Sequence, residues 1–184
     1  MLKVSQNPPQ RWPEERSLYE DCGNWWVVYT KPHNEKALAW DLQKLGVGYY
    51  LPMTTKRTRR LDNGKPRKSL ICLFPGYVSL VNYKNHKNSL LKTGRIVRAF
   101  EINNQERFVQ ELDQISRVTR QNVDIEIHDD LVIGQSVYIV SGPLKGIEGT
   151  IDDIIKCKRV FLNVEMFSRS VSIQVDPAIL IPLS

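Results

Sequence analysis

Cysteine is scarce in this chain. Cys22, Cys72 and Cys157 are widely separated and odd in number. They form neither a CxxC knuckle nor a disulfide framework, so a zinc ribbon and a disulfide-stapled scaffold are excluded and free thiols in a reducing compartment are expected. No apolar run approaches the roughly 20 residues that span a bilayer, and the segment Met1–Pro9 lacks the apolar stretch of a signal peptide. A soluble, cytoplasmic chain with no membrane partner is the expectation. The histidines, His33, His86 and His128, are scattered in polar surroundings. No GxSxG, HExxH or P-loop spacing sets a nucleophile beside a base or opens a phosphate cradle, and Asp152-Asp153 reads as an exposed turn pair rather than a metal site. No enzyme activity, metal or cofactor is expected. What remains is an ordinary globular composition. The 184 residues, 41% hydrophobic and 25% charged, suffice for one mid-sized domain or two small ones.

Acidic residues are missing from one stretch in particular. Residues 25–100 hold 15 basic and 3 acidic groups, a local charge of +12, in a chain whose net charge is +6. Residues 1–24 carry −1, 101–130 carry −5, and 131–184 are neutral. A basic region beside a neutral one points to a polyanion partner for the first and a different partner for the second.

The element pattern divides at the same place. Residues 1–24, rich in proline and charge, read as a flexible extension with at most a local turn. Trp25–Thr30 is β-branched and aromatic and is stopped by Pro32, as a buried central strand would be. The spacing of Leu38, Leu42 and Leu45 predicts a helix over 33–45, with Asn34 as its cap and Gly46 as its stop. Tyr49-Tyr50-Leu51 reads as a second strand. Residues 54–69 carry Lys56, Arg57, Arg59, Arg60, Lys65, Arg67 and Lys68 around an Asp62-Asn63-Gly64 turn, a protruding basic hairpin or mobile loop. Strand signals follow over 70–74, 77–81 and 96–100, with a polar loop over 82–88. Asn103–Glu106 resembles a capping box opening a second helix whose Phe108, Leu112 and Ile115 share one face. This mixture predicts an α+β sandwich. Residues 121–132 are acidic and polar, a linker; beyond them short strands with no helical period predict a small β-barrel over 133–184.

Two segments in order resemble the NusG family of transcription elongation factors. The first runs Trp25-Trp26-Val27-Val28-Tyr29-Thr30-Lys31-Pro32, then Glu35, Leu51-Pro52 and Leu73-Phe74-Pro75-Gly76-Tyr77-Val78. The second is Ser141-Gly142-Pro143-Leu144-Lys145-Gly146-Ile147-Glu148-Gly149, similar to a KOW motif. The resemblance implies an NGN-type α/β sandwich with an antiparallel sheet over 25–120, followed by a KOW (SH3-like) barrel. It implies a monomer that docks on the clamp helices of RNA polymerase, suppresses pausing and touches non-template or upstream DNA. The KOW domain then recruits a second partner, such as Rho or a ribosomal protein. The long basic hairpin, the N-terminal extension and Ser168, in place of a glycine, look like the operon-specific antiterminators of polysaccharide clusters. The housekeeping elongation factor and a ribosomal, RNA-binding KOW protein are the alternatives.

Carried onto this sequence, the resemblance nominates Tyr29, Phe74 and Tyr77 as the apolar polymerase-docking patch, with core packing as the alternative for Phe74. His86, in the 84–88 segment, falls where the family meets the opposite polymerase lobe. Lys31, Lys36, Lys92 and Arg95, with Arg57, Arg59 and Arg60 of the hairpin, are candidates for nucleic-acid contact, and phosphate affinity scales with the number of charges neutralised. Met166 and Phe167 are the candidates for binding the KOW partner. In place of a further aromatic two residues after Tyr77 the chain has Ser79.

Overall fold

The computed structural model describes residues 7–59, 66–121, 125–128, 135–152, 159–164, 169–174 and 180–182. Contacts along the chain divide it into two compact units, 1–105 and 106–184.

In the first unit, β1 (Arg11–Trp12), β2 (Trp25–Thr30), β3 (Tyr49–Tyr50), β6 (Tyr77–Val81) and β7 (Ile96–Glu101) form a five-stranded sheet in the order β1-β3-β6-β2-β7. Every pairing in it is antiparallel. The aromatic, β-branched β2 is a central strand, as its composition demands. Helices α1 (Glu35–Lys44) and α2 (Tyr83–Lys92) supply Leu38, Ala39, Leu42, Tyr83 and Leu90 to one core. The same core takes Trp26 and Val28 from β2 and Val78 and Leu80 from β6. Because side chains alternate along a strand, Val27, Tyr29, Tyr77 and Ser79 fall on the opposite face of the sheet.

Four expectations change here. The described part of the extension, residues 7–24, is folded onto the sheet. Its strand β1 pairs with β3, Leu18 is buried, and a 3-10 turn at Leu18–Glu20 is closed by a Ser17/Glu20 capping box. Proline and charge mask that order in the sequence, because the partner strand lies far along the chain. The polar loop expected over 82–88 is instead part of α2. Its N-cap Asn82 is left-handed (φ 56°, ψ 37°), a conformation asparagine tolerates. Only Tyr83 and Leu90, two turns apart, are buried on this helix, too thin a stripe to read as periodicity. Asn34 stands at the N-cap of α1, but its side chain makes no capping bond. It donates to the Pro32 carbonyl at 3.0 Å and accepts from Arg95 at 2.8 Å. The strand expected over 70–74 ends at Cys72, and a turn through Leu73–Gly76 separates it from β6.

The basic segment supplies two paired strands, and its expected Asp62-Asn63-Gly64 turn lies outside the described residues. Strands β4 (Met53–Arg59) and β5 (Pro66–Cys72) make a two-stranded sheet of their own, in register from Met53↔Cys72 to Arg59↔Pro66.

In the second unit, α3 (Gln105–Arg120, its first residue belonging to the first unit) buries the expected Phe108, Leu112 and Ile115 together with Val109 and Val118. Gln105 is used differently from a capping-box member. Its side-chain oxygen accepts from the Trp25 amide at 2.7 Å, and its nitrogen donates to the Trp25 and Ile102 carbonyls. Strands β8 (Ile125–His128), β9 (Gln135–Ile139), β10 (Glu148–Asp152), β11 (Arg159–Val164), β12 (Arg169–Gln174) and β13 (Leu180–Pro182) form a six-stranded antiparallel sheet ordered β13-β9-β10-β11-β12-β8. β8 falls inside the segment read as a linker and pairs with β12. The glycine-rich motif makes the turn between β9 and β10, where Gly142 and Gly146 take φ of 82° and 88°. No helix among the described residues is long and apolar enough to cross a membrane.

Candidate functional site

Tyr29 and Tyr77 are directly opposed in the β2–β6 register, with ring centroids 5.3 Å apart and planes tilted by 52°. Their neighbours on the same face, Val27 and Ser79, are buried, while the aromatic pair is more exposed. Tyr29 is 39% exposed and Tyr77 is half-buried.

The pair is held by the turn before β6. Gly76 adopts φ +89°, and a Cβ placed there would lie 2.7 Å from Tyr29 Cε2, so only glycine lets the ring rest on this backbone. The Gly76 N–H donates to Glu35 Oε1 at 2.6 Å. Its carbonyl accepts from the Thr30 N–H at 2.7 Å and the Thr30 hydroxyl at 3.3 Å. Glu35 is buried in the first turn of α1, where the helix dipole favours its charge. A register shift in the β2–β7 pairing falls between Tyr29 and Thr30, a local irregularity that re-aims side chains.

Phe74 is corrected. Its ring is only 2% exposed, because the Leu73–Gly76 turn folds it inward while Tyr77 begins the strand, so it belongs to the core and not to the patch. Arg98 is the residue that sequence reasoning missed. It opposes Tyr29 from β7, is exposed, and sets its guanidinium 5.0 Å from the Phe100 ring centre. Only the cross-strand register brings it beside Tyr29.

The basic candidates separate into two groups. Lys36 Nζ donates to Asn7 Oδ1 at 2.6 Å and to the Leu70 carbonyl at 2.5 Å. Arg95 Nε pairs with Asp41 Oδ2 at 2.7 Å, and its Nη1 donates to Asn34. These two cations are engaged within the fold. Lys31 and Lys92 are exposed and form no ion pair among the described residues. Arg57 and Arg59 lie on β4, opposite Lys68 and Pro66. Arg60 lies outside the described residues, as do Met166 and Phe167. His86 is half-buried on α2, away from the loop context in which it was expected. Burial pushes the Cys72 thiol up to about 11, with Glu35 adding to the shift and Lys36 opposing it. Among the described residues no cluster of His, Cys, Asp or Glu could hold a metal ion.

The family model described as transcription termination factor nusG matches residues 23–126, more than half of the chain. The chain belongs to the NusG family. Among solved structures, NusG of Thermotoga maritima, from a study of its domain interaction, is similar at 17% identity with a TM-score of 0.50. The likeness covers 88% of this chain and 97% of that one, and at that identity it speaks for the fold alone. An MjSpt4:Spt5 complex aligns at 17% identity with a TM-score of 0.29, over 87% of this chain and 97% of its own. No curated protein matches the sequence. The mixed helix and antiparallel sheet of the first unit is thus the NGN-type fold, in a family of transcription factors.

Proposed function

We propose that this NusG-family chain is an elongation and antitermination factor that docks on the clamp helices of RNA polymerase through Tyr29 and Tyr77. Docking suppresses pausing or termination, at specific operons such as polysaccharide clusters. Such a factor performs no bond chemistry; it shifts the population of polymerase states by binding some of them better than others. His86 on α2 faces the opposite polymerase lobe. Lys31, Lys92 and the hairpin residues Arg57, Arg59 and Arg60 meet non-template or upstream DNA. Residues 133–184, within the second unit, are a KOW-type barrel that recruits Rho or a ribosomal protein through Met166 and Phe167. The observation that carries the reading is the Tyr29–Tyr77 pair, partly exposed and fixed by Gly76. Rigid, amphipathic aromatics are the side chains that dominate protein interfaces.

The test is binding of purified core RNA polymerase to wild type and to Tyr29→Ala/Tyr77→Ala. Hot-spot aromatics contribute about 2 kcal/mol each, so the double variant should lose binding while its circular dichroism stays unchanged. Wild type that fails to bind polymerase yet binds ribosomes or RNA would move the function to the second unit.

A further inference from the structure

The basic ribbon poses a physical problem. A two-stranded sheet is marginal by itself, and this one carries Lys56, Arg57, Arg59, Arg67 and Lys68 with no acidic residue in either strand. Arg57 and Lys68 are directly opposed, and like charges in that position work against strand pairing. Something else must fix the ribbon.

Its root is held by the N-terminal segment. The Gln10 side-chain oxygen accepts from the Met53 N–H at 2.9 Å, and the Gln10 carbonyl accepts from the Leu51 N–H at 2.6 Å. On the other strand, Lys36 Nζ bridges the Leu70 carbonyl and Asn7 Oδ1. The Leu73 N–H donates to the Pro52 carbonyl at 2.9 Å, closing the ribbon's base. Met53 is buried, and Leu70 and Cys72 pack against the core. Asn7 and Gln10 lie before the family match, which begins at residue 23, so these two contacts come from outside the matched region.

We infer that residues 7–12 are a strap that aims the basic ribbon, with Asn7, Gln10 and Lys36 as positioning residues that present the ribbon's cations together to a phosphodiester backbone. The inference rests on the reading of the ribbon as the nucleic-acid arm. It reassigns Lys36, whose ammonium holds the ribbon's root instead of meeting phosphate. Fixing the root in advance spares the ordering cost at binding and opposes the repulsion between the paired strands.

The test uses the full chain. Amide hydrogen exchange of the ribbon is measured together with affinity for a duplex DNA and for a structured RNA of equal length, each over a range of salt concentrations. Asn7→Ala/Gln10→Ala removes no charge. It should speed exchange at Met53–Lys56 and Ser69–Cys72 and weaken binding about three- to ten-fold, the scale set by a few loosened side chains, at unchanged salt slope. Asn7→Asp, which keeps an acceptor for Lys36, should retain protection at Leu70–Cys72. Arg57→Ala/Lys68→Ala should instead lower the salt slope by roughly 0.9 for each duplex phosphate no longer neutralised. Wild-type exchange in the Asn7→Ala/Gln10→Ala ribbon, or undiminished affinity, overturns the strap's role. Unchanged affinity and slope in Arg57→Ala/Lys68→Ala overturn the nucleic-acid arm itself, even if exchange follows the strap. Equal binding to both probes places the contact on shared phosphate chemistry, and a preference identifies which nucleic acid is the source.

Discussion

The basic side chains around α1 and those on α2 carry the same charge, and the fold ties up some of them, Lys84 with Glu101 included, while leaving others in solvent. Lys36 is tied to the strap and the ribbon root, and Arg95 reaches back to Asp41 and Asn34 on α1. Lys87 and Lys92 on α2 stand in solvent. The same division recurs among the aromatics: Phe74 is core and Tyr77, three residues later, is half-buried. It recurs again in the thiols, Cys22 exposed and Cys72 half-buried. A residue's chemistry says what it is able to bind, and its surroundings decide whether it is still free to do so.

Phe74 and Tyr77 differ the most. Phe74→Ala should cost about 3–5 kcal/mol of stability, the range for emptying a packed aromatic site. Tyr77→Ala should cost much less stability and lose polymerase binding instead. Urea denaturation alongside a polymerase-binding assay separates them, and equal destabilisation by both would place Tyr77 in the core.

With Cys72 raised from 9.0 to about 11, its thiolate fraction at neutral pH is about a hundred-fold below that of an unshifted thiol. Alkylation followed by mass spectrometry should modify Cys22 while Cys72 stays protected in the native state. Comparable rates at the two sites would contradict the burial.

Arg95→Ala should destabilise by about 1–2 kcal/mol, tempered by the solvent that Arg95 and Asp41 both retain. Lys92→Ala should stay within about 0.5 kcal/mol. A denaturation midpoint shifted equally by both would erase the distinction between engaged and free cations.

A smaller effect comes from the N-terminal segment. Burial raises the Asp21 carboxyl above its ordinary 3.8, while Arg16 and Arg11 pull it down. The folded state therefore holds this proton more tightly than the unfolded chain. The resulting stability is present below the unfolded value and is lost as pH rises through the folded one. Asp21→Asn should thus gain stability relative to wild type as pH rises through and above about 4. A difference that stays constant with pH would show that the carboxyl is not the titrating group.

Local pattern determined a good deal. The β-branched, aromatic run of β2, the Leu38/Leu42 face of α1, the Phe108/Leu112/Ile115 face of α3 and the short strands of the second unit were legible because neighbours in sequence create those signals. The Tyr29 and Tyr77 candidates also came from sequence, through a family resemblance.

The tertiary structure decided what depends on distant partners. Residues 7–24 are ordered by β3, Asn82 and the ribbon root, none of them near in the chain. Helix α2 buries two residues too far apart to signal it. Arg98 joins the aromatic patch only through the β2–β7 register, and Lys36 and Arg95 leave the pool of free charge only when Asn7, Leu70 and Asp41 are brought to them. Periodicity and propensity are properties of neighbouring residues and can be read along the chain. Burial, register and ion pairing are properties of residues brought together from afar, and they exist only once the chain has folded.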